Sequence, residues 1–467
     1  MKINFVYEFS SCYGKIVNGI NPHYLCFLFN NNFSFKDSDI KKFQSDINHN
    51  ISFWKPAYLY NYDNSDEYTV NDLENIIESD LYLYPISTGG DIFEFLSLRD
   101  TKHNTPLFYI SEKTKKLLKN NNTFYIYLEH PGEPYFDSDL LKEIHNLSEK
   151  YSIPFYKFII INGTNSNELI FTDFKEKYDN IKKLPKLISY NWAVPFKSLE
   201  LRSKLGMEKN PQAMGSTIAD ISHIYKPKQK KALLLVKRLR IHRLMLLSLL
   251  FESNSIKNIL YSLDTKMNLY DNFIEILNNE LDTIPIKNIS KDSIPKLEKG
   301  YNLMIEKKKV VLDYEDFETV HGFGMETKEL YENTYFSIVA ETEFSEYQKS
   351  ITEKILKPIM HCHPFIVLGS PDSLSTLKKF GFKTFDKWWD ESYDKEIDDW
   401  SRLIKTYDLI NMLVKKSNEE WNYMISDMKD TLEYNKKLLT TFTSEWILEK
   451  IKNNFTNIEN KDVITIL

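Results

Sequence analysis

Residues 335–386 read YFSIVAETEFSEYQKSITEKILKPIMHCHPFIVLGSPDSLSTLKKFGFKTFD, and this stretch decides the fold. YFSIVA and PFIVLG are short β-branched and aromatic runs, which predict strands. Between them Ile351, Ile355, Leu356 and Ile359 recur at helical spacing. After Gly369, Ser370 and Asp372 offer caps, SLSTLKKF supplies helical turns, and Gly381 suits the position just past the helix end. Strand–helix alternation of this kind implies a mostly parallel sheet covered by helices. Ligands of such sheets bind beyond the carboxyl ends of the strands, the edge at which Glu341 and Thr352-Glu353-Lys354 are expected.

Working outward, 467 residues exceed one ordinary core, so two α/β domains and an appendage are expected. A mean hydropathy of -0.42 with 14% aromatic residues describes a folded, soluble chain rather than a disordered one. The formal charge of -6 argues against a general polyanion binder, although a local basic patch stays open. Cys12, Cys26 and Cys362 form no ladder or CxxC pair, which fits free thiols and a cytoplasmic location. The first residues, MKINFVYEF, read as a strand and are too short and interrupted for a signal peptide core. No run reaches the roughly 18 apolar residues that a membrane span needs.

Taken in order, residues 1–205 read as a first α/β domain with strands KINFVYEF, YLCFLF, DLYLYPIS, NTFYIYL, FYKFIIIN and KLISYNWAVPF. Residues 206–230 read as a polar linker. A second α/β domain over 231–400 opens with ALLLV at 232–236, and 401–467 reads as a helical extension.

Within the second domain, Ser350-x-x-Glu353 has the spacing of a capping box, and Glu353–Lys357 that of a favourable i,i+4 pair. A helix start with a nearby carboxylate and a lysine can also hold a nucleotide diphosphate, the acid accepting ribose hydroxyls and the cation neutralising phosphate. The string Glu341-Thr342-Glu343, Ile351-Thr352-Glu353-Lys354 and Pro364-Phe365-Ile366-Val367-Leu368-Gly369 resembles the α1,3-fucosyltransferase signature of Glu-Asn, Thr-Glu-Lys and Pro-Val-Val-Leu-Gly. Leu377–Asp386 is similar to a run in phage and bacterial fucosyltransferase-like proteins. Thr342 stands in place of the usual Asn, and Ser350 in place of a Tyr. The resemblance implies a GT-B glycosyltransferase, two Rossmann-like domains facing across a cleft. It places Glu353 on the ribose, Lys354 on the diphosphate and Glu341 near the donor sugar, in an inverting reaction that needs no metal or other cofactor.

A second constellation, Lys237-Arg238-Leu239-Arg240-Ile241-His242-Arg243, follows ALLLV into a helix. Cations are disfavoured at that end by the helix dipole, so Lys237, Arg238, Arg240 and Arg243 together point to a bound anion. Arg243 is the leading choice because a planar guanidinium suits phosphate. With Lys226, Lys228, Lys230 and Lys231, the same stretch can instead form a nucleic-acid patch, although stacking aromatics are sparse. A carboxylate of the first domain is expected to take the acceptor proton. Glu129 and Glu133 are read as lying in the loop after FYIYL, with Asp91 and Glu94 at another edge, and the resemblance to phage sequences with a Glu in such a loop puts Glu133 first and Glu129 next.

His361-Cys362-His363 lacks the further ligands of a tetrahedral metal site, so packing is the simpler reading. Asp37-Ser38-Asp39 and Asp137-Ser138-Asp139 mimic a metal-holding DxD pair but serve equally well as helix caps. No GxGxxG, Walker A, HExxH or GxSxG motif occurs, which counts against dinucleotide, NTPase, zinc-protease and α/β-hydrolase chemistry. The resemblance to the fucosyltransferase signature points to a transferase taking a nucleotide-sugar donor. Its acceptor is a glycan or a hydroxymethylated base in phage DNA. The non-enzymatic alternative is a nucleotide-sugar or glycan-binding protein on the same scaffold.

Overall fold

The structure is a computed structural model. It describes residues 3–7, 67–69, 76, 80–87, 107, 110–130, 136–191, 193–207, 218–236, 240–263, 286, 288–307, 328–344, 349–443, 446, 449–450 and 462–466. The chain divides into two compact units, residues 1–195 with 443–467, and residues 196–442.

In the first unit the elements run β1 (Ile3–Tyr7), β2 (Glu67–Thr69), β3 (Leu81–Ser87), α1 (Glu112–Asn120), β4 (Phe124–His130), α2 (Ser138–Lys150), β5 (Phe158–Asn162), α3 (Asn167–Lys177) and β6 (Lys186–Tyr190). α4 (Ala193–Lys204) spans the boundary between units. β5, with sequence FIIIN, is buried along its whole length, as expected of a parallel strand covered on both faces. α2 begins where the Asp137 carboxylate accepts from the Leu140 N–H at 2.8 Å. It then turns Leu140, Leu141 and Ile144 into a core shared with Ile126, Leu128 and Phe158. Asp137 is thus a helix cap, and Ser138 and Asp139 meet Asp173 and Lys177. Asp37 and Asp39 lie outside the described residues.

The second unit runs β7 (Ala232–Val236), α5 (Ile241–Glu252), β8 (Ile259–Leu263), α6 (Ile294–Ile305), α7 (Lys328–Glu332), β9 (Phe336–Ala340), α8 (Glu353–Met360), β10 (Phe365–Leu368), α9 (Ser373–Lys379), α10 (Asp399–Leu413), α11 (Asn418–Asp427) and α12 (Lys429–Leu439). A final strand, β11 (Val463–Ile466), pairs parallel with β6 in the first unit. The first sheet has the order β11-β6-β5-β4-β3-β1-β2 and the second β10-β9-β7-β8, and every described pairing is parallel.

The order of the second sheet positions the site. From β7 the chain steps outward to β8, then returns to the other side of β7 to form β9 and β10. The pair β7–β9 is therefore the topological switch point of the sheet, the place beyond whose carboxyl ends ligands of open α/β sheets bind. α5, apolar on nearly every side, is buried from His242 to Phe251. α6 packs against it through Gly300, where even a Cβ would come 1.8 Å from the Ser248 carbonyl oxygen.

Several boundaries differ from the sequence reading. The segment WAVPF, expected to extend the last strand, is helix from Ala193, because Pro195 fits a first helical turn and not a sheet ladder. The expected linker 206–230 includes a 3-10 turn at Ile221–Tyr225 with His223 and Ile224 buried. α10 to α12 belong to the second unit, whereas 443–467 join the first, so 401–467 is not one helical extension. Gly381 takes φ +91 just after α9, the left-handed helix stop expected of it.

Candidate functional site

The carboxyl ends of β7 and β9 are adjacent, with Leu234 paired to Ile338. Six of the eight expected donor-site residues stand at this edge, Glu341, Thr352, Glu353 and Lys354 after β9 and Arg240 and Arg243 after β7. Glu341, the first residue past β9, is buried, and its carboxylate accepts from the Thr352 N–H at 3.2 Å and from the Thr352 hydroxyl. Thr352 is the cap of α8, its oxygen accepting from the Lys354 N–H at 3.3 Å. The cap is thus Thr352, and the expected Ser350–Glu353 capping box does not form. The Ser350 hydroxyl is buried without a hydrogen-bond partner among the described residues.

Lys354 extends its ammonium to the Glu353 carboxylate at 2.8 Å, the Thr342 hydroxyl at 3.0 Å and the Thr352 hydroxyl at 3.3 Å. Its side chain keeps 29% exposure, against 10% for Glu353. Burial alone would raise the Glu353 pKa, but the charges of Lys354, Lys357 and Lys197 hold it down to about 2. Glu341 behaves in the opposite way: burial pushes its carboxyl up, and Lys354 with the Thr352 hydrogen bonds offsets only part of that rise.

Arg243 enters the same edge from α5 in an unexpected role. Its Nη2 donates to the carbonyls of Ala340 at 2.9 Å and Glu341 at 2.7 Å. His242 lies 3.0 Å from the same Glu341 carbonyl, so its Nε2 carries the proton there. Burial and the charge of Arg243 hold His242 neutral, while burial and Arg240 lower Arg243 to about 10. The described cations at the start of α5 are thus engaged by protein groups, Arg243 by two carbonyls and Arg240 by the Glu343 carboxylate at 3.1 Å. Arg240, whose side chain is 41% exposed, and Lys354 are the cations here that reach solvent among the described residues. Lys237 and Arg238 lie outside the described residues.

The basic stretch splits around β7. Lys226, Lys228, Lys230 and Lys231 precede the strand, and Arg240 and Arg243 follow it. Five strand residues separate the two groups by about 17 Å. Lys228 is turned onto the His223 and Glu332 carbonyls, and Lys230 onto that of Lys257. Among the described residues the two basic groups therefore stand at opposite ends of β7.

His361-Cys362-His363 lies between α8 and β10, on the edge opposite Glu341. Three imidazoles are buried there, and each accepts one hydrogen bond. His361 takes the Ala219 N–H at 3.1 Å, His223 the Lys228 ammonium at 3.1 Å, and His363 the Ser337 hydroxyl at 2.8 Å. Tyr331 stacks on His361 at 3.9 Å. The cluster packs as a polar plug of neutral rings. No three His, Cys, Asp or Glu side chains among the described residues are placed to hold a metal ion.

In the first unit, Glu129 is the penultimate residue of β4, paired with Ser87 and Ile161. It therefore stands at the carboxyl end of the strand rather than in the loop beyond, because the ladder continues through His130. Glu133, Asp91 and Glu94 lie outside the described residues. Phe344 and Arg402, which no motif marked, also reach the second unit's edge, Arg402 from α10. No helix among the described residues is long and apolar enough to cross a membrane. Comparison with protein-family models and with curated proteins finds no match for this sequence.

Proposed function

We propose that this chain is a glycosyltransferase of the GT-B kind that moves a sugar from a nucleotide-sugar donor to an acceptor hydroxyl with inversion and without a metal. The observation that carries the reading is the placement of Glu353 and Lys354 at the start of α8 and of Arg240 at the start of α5, the helices on either side of the switch between β7 and β9. That position in a parallel sheet is suited to a nucleotide, and its charges match a diphosphate bound beside a ribose.

In this reading Lys354 exchanges the Glu353 carboxylate for a phosphate oxygen when the donor arrives. Released from the ammonium, Glu353 accepts the ribose hydroxyls. Lys354 then stabilises the charge that builds on the departing nucleotide diphosphate, worth about 3 kcal/mol per well-placed donor. Arg243 acts on the ligand indirectly, by holding the carbonyls of Ala340 and Glu341 and so the exit of β9. A carboxylate of the first unit, Glu133 before Glu129, takes the acceptor proton. A glycan hydroxyl is the favoured acceptor over a DNA base, since the lysines of 226–231 stand away from this edge.

The test is a thermal-shift screen of UDP-, GDP- and dTDP-sugars on the native chain and on Lys354→Ala. Saturation at 100 times Kd raises stability by about 2.7 kcal/mol. A shift with one nucleotide class, weakened in Lys354→Ala, is the expected result; no shift with any of them defeats the proposal. Donor hydrolysis in the absence of acceptor separates a transferase from a binding protein.

A further inference from the structure

Arg402 is 1% exposed and lies on α10, 58 residues beyond Phe344. Its Nε donates to the Gly369 carbonyl at 3.0 Å, just past β10, and its Nη2 to the Phe344 carbonyl in the connection leaving β9. Its Nη1 reaches the Glu396 and Ile397 carbonyls at 2.7 and 3.2 Å, and Asp399 balances its charge. The guanidinium carbon sits 4.1 Å from the centre of the Phe344 ring, which also stacks on His242 with ring centres 5.0 Å apart. One side chain thus ties the exits of two adjacent strands to a helix that the motif residues do not include.

These ties lead toward Lys354 by contact. Gly369, held by Arg402, lies against Glu341 so closely that a Cβ on it would stand 3.2 Å from the Glu341 Cβ. Glu341 holds Thr352 by two hydrogen bonds, and Thr352 caps the helix that begins Glu353-Lys354. We propose that Arg402 is a positioning residue of the donor site, setting where Lys354 stands through Gly369, Glu341 and Thr352. The proposal rests on the nucleotide reading above. A lysine cannot replace this arginine, because an ammonium lacks the planar fork that serves carbonyls in several directions at once.

The experiment is a double-mutant cycle read by calorimetry at a temperature where every variant is folded, with GDP, UDP, ADP and dTDP as probes. For whichever nucleotide binds the native chain, Arg402→Lys is expected to weaken affinity about 10-fold. On the Lys354→Ala background the same change is expected to cost less than about 2-fold, because the group it positions has been removed. A role in stability alone leaves affinity unchanged or gives the same loss on both backgrounds, and either result overturns the proposal. Should Arg402→Lys fail to fold, Phe344→Leu keeps the guanidinium and removes the ring beneath it, and the same cycle applies. If none of the four nucleotides binds the native chain, the site reading falls and this proposal with it. If the native chain binds and Lys354→Ala weakens that binding while Arg402→Lys does not, the site reading stands and Arg402 alone is excluded.

Discussion

Glu341 holds Thr352 by both of the threonine's donors, the backbone N–H at 3.2 Å from one carboxylate oxygen and the hydroxyl on the other. The pair fastens the exit of β9 to the first turn of α8, two elements separated in sequence by a connection of more than ten residues. The site residues stand on this joint, so its strength and its charge state can be measured directly.

Replacing Glu341 by Ala leaves the buried Thr352 donors without their acceptors and is expected to cost about 3 kcal/mol in urea unfolding. Glu341→Gln keeps the volume and one acceptor and should cost about 1 kcal/mol. Burial raises the Glu341 pKa above 4.5, so its contribution is complete below that pH and is lost as pH rises through the folded value. The gap between the native chain and Glu341→Gln should therefore narrow from pH 4.5 upward.

Lys354→Ala removes a principal cation holding Glu353 down. Because the folded Glu353 pKa is depressed to about 2, its stabilisation is present above 4.5 and disappears as pH falls toward 2. Solvent screens the partly exposed lysine, so the expected loss is about 1 kcal/mol at pH 7. It should shrink steadily in unfolding curves taken at pH 5, 4 and 3.

Acid should also weaken the polar plug at the opposite edge. His223 is lowered to about 4, first by burial and then by the neighbouring Lys228 charge. A histidine with a depressed folded pKa contributes stability above its unfolded value near 6.5, and loses it as pH falls toward 4. That window corresponds to roughly 3 kcal/mol for His223. His223→Gln should flatten the pH dependence of the urea midpoint between pH 7 and 4; an unchanged slope would show that the ring is not held neutral.

Gly300→Ala tests the packing beneath the site. The added methyl would meet the Ser248 carbonyl at 1.8 Å, a backbone atom that no side-chain rotation can move away. Separation of α5 from α6 should cost about 3 kcal/mol. Since α5 carries His242 and Arg243, nucleotide affinity should fall as well. A substitution tolerated within about 0.5 kcal/mol would mean that the helices cross elsewhere.

The parallel α/β architecture was legible from YFSIVA, ITEKILKPIM and PFIVLG, because alternation of apolar runs with helical spacing is a local property. The same locality brought Glu341 and Thr352–Lys354 to one sheet edge, since residues just past a strand and just inside the next helix share that edge in any such unit. The end of β4 was misread for the complementary reason: whether Glu129 continues the strand depends on the neighbours Ser87 and Ile161, not on its own propensity.

Local pattern alone thus specifies the alternating framework, the parallel sheets and the edge on which the motif residues stand. Tertiary structure alone decided how those residues are used: Arg243 serves carbonyls, Lys354 pairs with Glu353, and Arg402 arrives from α10 to hold two strand exits. The physical reason is range. Propensity and periodicity act over a few residues, whereas a buried charge finds its partners only when distant segments close around it and exclude water.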